Sequence, residues 1–116
     1  MLRIALTAFF VPALAAAGEP VVVGAEATQS DGAWRFDVTV EHADAGWEHY
    51  ADAWEVLGPD GTRLGIRELL HPHVNEQPFT RSLTGVAVPD DTLSVEIRAR
   101  DSVHGWGPRY RLDLPR

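Results

Sequence analysis

The chain has 116 residues, room for about one domain, and its 45% hydrophobic and 23% charged residues are the balance of a globular core. It contains no cysteine, which excludes a disulfide scaffold, a thiolate metal site and a cysteine nucleophile. The net charge is −7 and all ten basic residues are arginine, which argues against nucleic acid as a partner because phosphate binding needs clustered cationic surface.

Residues 1–17, MLRIALTAFFVPALAAA, read as an address. Arg3 precedes an apolar run from Ile4 to Leu14, and Ala15-Ala16-Ala17 supplies the small-x-small pattern that signal peptidase accepts. The run is too short to span a bilayer comfortably, so the mature chain is expected to begin near Gly18 with no membrane span, in the periplasm or outside the cell. The domain expected over 18–116 carries nine arginines against 17 acidic residues and no sulfur, since Met1 is the only methionine. Its stability must come from core packing alone, which a chain of roughly 100 residues supplies with a modest margin.

Period two dominates the rest. Trp34, Phe36, Val38 and Val40 alternate with Arg35, Asp37 and Thr39; Leu93, Val95, Ile97 and Ala99 alternate with Ser94, Glu96, Arg98 and Arg100. Such alternation marks strands with one face in the core and one in solvent. In chain order the pattern predicts strands at 20–28, 33–41, 51–57, 63–70, 79–87, 92–100 and 109–115. The 63–70 stretch also suits a helical turn, but Gly58-Pro59-Asp60-Gly61 is a turn signal that pairs it with 51–57 as a hairpin. Ser30-Asp31-Gly32 and Pro89-Asp90-Asp91 mark two further turns. Seven short strands with regular turns predict an all-β, single-domain sandwich.

Strand parity then sorts the loops. If successive strands alternate in direction, 30–32, 58–62 and 88–91 share one pole and contain no histidine. Loops 42–50, 71–78 and 101–108 share the other pole and hold His42, His49, His71, His73 and His104. Beside them stand Trp47, Tyr50, Phe79 and Trp106, with Asp44, Glu48, Asp52, Glu76 and Asp101. Function on a rigid sandwich tends to sit in such loops.

Three chemistries are open to that pole. His71-Pro72-His73 is a His-x-His pair, and in extended chain residues two apart point to one side, roughly 6.5–7 Å apart. With His104 as third ligand, and His49 or Glu76 as fourth, the pair suits Zn²⁺ or Cu²⁺, and no organic cofactor is called for. Trp47 and Trp106 would wall such a site; His42, at a strand end, is the weakest ligand candidate and reads as solvent-facing. The histidines can equally serve structure, tying loop backbone by hydrogen bonds, with Asp101-Ser102 capping the turn before the last strand. A second use of the pole is as an aromatic and acidic surface of Trp47, Tyr50, Trp106, Asp44 and Asp101 for a periplasmic protein partner or a glycan. Catalysis is not expected: Asp101, Ser102 and His104 are too close in one short loop to orient as a relay, and no nucleophile elbow, phosphate loop or HExxH motif is present.

The order of strands and turns, with the tail ARDSVHGWGPRYRLDLP (99–115) and Trp34 or Trp54 as core tryptophan, resembles an immunoglobulin or fibronectin type III domain. The segments GWEHYADAWEVLGPDGTRLGIRELLHPHVNEQPFTRSL (46–83) and DSVHGWG (101–107) are similar to those of small uncharacterised exported proteins of proteobacteria. That resemblance implies an exported single domain and supplies no site residues. The expectation is thus a non-enzymatic periplasmic module with a histidine-rich transition-metal site at one pole, for metal buffering, delivery or support of a partner, or else a partner-binding accessory domain.

Overall fold

The computed structural model describes residues 18–116; the segment read as a signal peptide lies outside the described residues. The described chain is all β. Its strands are β1 (Val21–Ser30), β2 (Ala33–Glu41), β3 (Ala51–Leu57), β4 (Arg63–Glu68), β5 (Phe79–Val86), β6 (Ser94–Asp101), β7 (Gly105–Trp106) and β8 (Tyr110–Asp113). One sheet has the order β1-β2-β5; the other has the order β4-β3-β6-β7, with β8 also paired to β6. Every strand pair is antiparallel, and the two sheets face each other as a sandwich.

All seven expected strands are present, and an eighth is added. The expected 109–115 strand becomes β8, and β7 precedes it on the same edge of β6. The interruption falls at Pro108, which has no N–H to give to the ladder. The 63–70 stretch is extended, not helical, and ends at Glu68.

The core follows from parity. Trp34, Phe36, Val38 and Val40 of β2 point inward, as do Val95, Ile97 and Ala99 of β6. They meet Trp54, Val56, Phe79 and Val86 from the other strands. Burying each large side chain contributes about 1.5–3 kcal/mol, so this one layer carries most of the fold's stability.

The outer face of the second sheet is held differently. Glu55, 2% exposed, accepts hydrogen bonds from Arg63 Nε and Arg98 Nε, both at 2.7 Å. The Trp106 ring lies between the guanidinium groups of Arg98 and Arg100, at 4.9 and 5.2 Å. Arg100 Nε also donates to Asp52 at 2.9 Å. An alternating arginine–acid–tryptophan layer thus covers the central strands.

Antiparallel pairing brings the loops after β2, β4 and β6 to one end. The register Val21↔Glu41 puts the residues before β1 at that same end. All five histidines gather there, as strand parity predicts.

Candidate metal centre

The centre is built by two inward rows that run past the ends of their strands. On β2 the buried alternation 34, 36, 38, 40 continues through His42 and Asp44. On β6 the row 95, 97, 99 ends at Asp101. The side chains of His42, Asp44 and Asp101 are wholly buried. His42 was expected to face solvent; parity instead carries it to the core side, where it becomes the centre of the cluster.

His42 touches oxygen acceptors on both sides of its ring. Nδ1 lies 2.5 Å from Asp44 Oδ1. Nε2 lies 2.7 Å from the Gly18 carbonyl oxygen and 3.0 Å from Asp101 Oδ2. The same Asp101 oxygen is 3.0 Å from His49 Nε2 and 2.9 Å from His104 Nδ1. Asp101 Oδ1 accepts the Val103 backbone N–H at 2.9 Å and that of His104, so the residue also caps its turn. The rings pack edge to face or tilted, His42 on His49 at 4.8 Å and His49 on His104 at 5.0 Å.

Burial, the largest single influence on Asp101, opposes its ionisation. The backbone and ring of His104, the ring of His49 and the Val103 N–H outweigh it and hold the carboxyl well below the usual range. Asp101 is therefore an anion at neutral pH. Asp44 is fixed in turn: Oδ1 accepts Ala51 N–H at 3.1 Å and Oδ2 accepts His73 N–H at 2.7 Å. Gln77 clamps the loops together by accepting His42 N–H and donating to the His73 carbonyl, both at 2.9 Å.

A proton inventory shows what this geometry can hold. If Nδ1 of His42 donates to Asp44, Nε2 turns a lone pair toward two oxygens, and only a cation between them removes the repulsion. The cation is either a second proton on His42 or a metal ion. Among the described residues, the group offering three or more ligand atoms in reach of one ion is His42, His49 and Asp101, whose atoms lie within 4.8 Å of one another. Tetrahedral ligands around Zn²⁺ stand about 3.3 Å apart, close to the 3.0 Å from Asp101 Oδ2 to each of the two histidine nitrogens, and the whole set lies within 4.8 Å. Asp44, His42 and the ion would then form the carboxylate–histidine–metal arrangement that fixes the ring's tautomer.

Of the expected metal ligands His49 enters this group, and His104 borders it through Asp101, a residue expected on the partner surface and not as a ligand. His71 and His73 lie outside this group: their ring centroids are 4.7 Å apart with the planes tilted by 36°, and His73 stacks on Phe79 at 4.0 Å. The segment is not a strand, so the two-residue alternation that would align the pair does not apply. His73 is buried and neither ring nitrogen has a hydrogen-bond partner among the described residues. Desolvation, with Arg81 and His71 adding, lowers its pKa. Glu76, expected as a ligand, is taken up by Arg81 at 3.1 Å, which also lowers its pKa.

The aromatic set divides as well. Trp47 is 66% exposed and meets Tyr50 edge to face at 5.5 Å, a surface feature. Trp106 belongs to the arginine layer rather than to a wall of the histidine cluster. Asp44 and Asp101 are buried and are not rim acids for a partner. Ser102 exchanges hydrogen bonds with the backbone of Tyr50, its Oγ accepting at 3.1 Å, while the His104 ring turns to Asp101.

No family model matches the chain. A protein of the archaeon Halomicrobium mukohataei bearing the name "Putative lipoprotein" is 50% identical over 72 residues, 62% of this chain and 35% of that protein. The chain thus spans about a third of that relative's length. The match is archaeal, and it lends no support to the proteobacterial kinship expected from the sequence. Among solved structures, a hypothetical protein from Pyrococcus horikoshii OT3 superposes with a TM-score of 0.54 at 14% identity, covering 84% of this chain and 88% of that one. At that identity the likeness concerns the fold alone.

Proposed function

We propose that this chain is a metal-binding module of an exported protein, and that it holds one Zn²⁺ or Cu²⁺ at His42, His49 and Asp101. The observation that carries the reading is the Nε2 of His42, which faces two oxygens while its Nδ1 is committed to Asp44. A nitrogen-and-oxygen donor set without sulfur suits these borderline ions. His104, part-exposed at the edge, is placed to enter the shell or to guard it. The signal-like segment 1–17 and the lipoprotein name of the archaeal relative support a place in the cell envelope, on its periplasmic or outer side. The three-stranded sheet facing a sheet of order β4-β3-β6-β7/β8 supports the immunoglobulin/fibronectin-like reading. We read the module as non-enzymatic, buffering or delivering the ion or supporting a partner's metal centre.

A second reading is favoured by Trp47, which stands exposed beside Tyr50 at the same pole. There the loops bind a protein or a glycan, and the buried cluster is a protonated His42 pinned between two carboxylates.

Titration calorimetry of chelator-stripped protein with Zn²⁺ and Cu²⁺ separates the two. The metal reading expects one ion bound per chain, with protons released as imidazolium yields to metal, and binding lost in His49→Ala. Absence of binding for both ions leaves the partner-binding reading.

A further inference from the structure

The residue that closes the cluster is Gly18, the first residue after the expected cleavage site. Its carbonyl oxygen is 2.7 Å from His42 Nε2. Its Cα is pressed against the other two rings: a Cβ there would lie 3.0 Å from His104 Cε1 and 3.2 Å from His49 Cε1, and its φ of +90° is left-handed. Glycine is therefore the residue this contact admits. The placement is enforced from outside the cluster. Pro20 is fully buried, and its carbonyl passes so near Gly107 that a Cβ on Gly107 would lie 2.2 Å from the oxygen. The chain start is thus threaded between β7 and the histidine loops.

Resting on the metal reading above and on cleavage after Ala17, we propose that the α-amino group of Gly18 is itself a ligand, so that removal of the signal peptide completes the metal site. In the uncut chain the Gly18 nitrogen is an amide whose lone pair is delocalised into the carbonyl of Ala17, and it is no ligand. Hydrolysis breaks that C–N bond: water's oxygen goes to the Ala17 carboxylate and a proton to the Gly18 nitrogen, which becomes an amine. The amine and the carbonyl oxygen of one glycine close a five-membered chelate ring on an ion, and the amine's proton leaves as the metal enters. With His42, His49 and Asp101 this makes a five-donor site assembled from Gly18, the β2–β3 loop and the end of β6. The precursor lacks one donor, so tight loading follows export rather than preceding it.

The sequence offers a clean test, because with no lysine in the chain the α-amine is the one primary amine of the processed protein. The full chain is exported and purified, and mass spectrometry reads its first residue; a start other than Gly18 overturns the proposal. Half is acetylated with an amine-selective ester, and Zn²⁺ and Cu²⁺ affinities are compared with the untreated half, after a metal-free melt confirms that both are folded. The expected result is a loss of at least about tenfold on acetylation, since even losses outside the ligand shell cost about 10–100-fold. Prior loading with the metal is also expected to slow acetylation. Equal affinity in both forms, or acetylation unaffected by metal, overturns the amine's role while leaving the His/Asp site standing. Failure of both forms to bind either ion removes the metal reading and the amine proposal together.

Discussion

His42 and His49 contact the same Asp101 oxygen, yet removing them has different consequences. His42 is wholly buried between two buried carboxylates, so His42→Ala opens a cavity in the cluster and removes one partner from each carboxylate, and is expected to cost about 2–5 kcal/mol. His49 is about a quarter exposed, and Asp101 keeps its other donors without it. His49→Ala is therefore expected to cost only about 0.5–1.5 kcal/mol in metal-free protein while abolishing tight metal binding. Urea melts of the two variants check the order; equal losses would contradict it. His73 makes the opposite case. Its buried ring has two nitrogens without partners and stacks on Phe79, so His73→Phe is expected to raise stability by about 1–3 kcal/mol and leave metal affinity unchanged. Its folded pKa lies below the unfolded value of about 6.5, so its contribution is present above that pH and is lost as pH falls below it. Asp101 is also depressed, and its contribution fades only below about 3.9. Stability measured from pH 7 to 4.5 should fall less steeply in His73→Phe than in the parent.

At the scale of the strands, much was legible and the failures have a physical cause. The alternation of 33–41 and the Gly-Pro-Asp-Gly turn placed β2, β3 and β4 to within two residues. The same alternation, carried one residue beyond β2, points His42 inward, and carried to the end of β6 it buries Asp101. That signal was present in the sequence; ending the expected strands at residues 41 and 100 concealed it. The His-x-His pair lies apart from the three-residue group because 71–73 is a loop without strand alternation, where the His73 ring stacks on Phe79. The arginine layer around Glu55 was not legible, since it depends on cross-strand register, which one sequence does not display. Glu55→Ala removes two charged hydrogen bonds from the central strand and is expected to lower stability by about 1–3 kcal/mol; a denaturant midpoint unchanged from the parent would contradict it. Gly107→Ala is expected to push Pro20 from its place, which would show as backbone amide shifts at both residue 107 and residues 18–22 rather than at residue 107 alone.

Across the whole molecule the division of poles is the lasting result. Antiparallel order sends the turns at 30–32, 58–62 and 88–91 to one end and five histidines to the other, and the structure links all five: His71 to His73 by ring contact, His73 to Asp44 by its N–H, and Asp44 through His42 and Asp101 to His49 and His104. One network therefore ties three loops and Gly18 to two core strands. A metal ion placed in it would be bound by the folded chain alone, because the unfolded chain separates His42 from Asp101 by most of the domain. The measurement that tests this most directly is a thermal melt of chelator-stripped protein with and without excess Zn²⁺ or Cu²⁺. Binding by the folded chain alone predicts a rise of several degrees in midpoint for one ion, by mass action on the folded state, and its disappearance in His49→Ala. An unchanged midpoint with both ions, or an equal rise in His49→Ala, would contradict it.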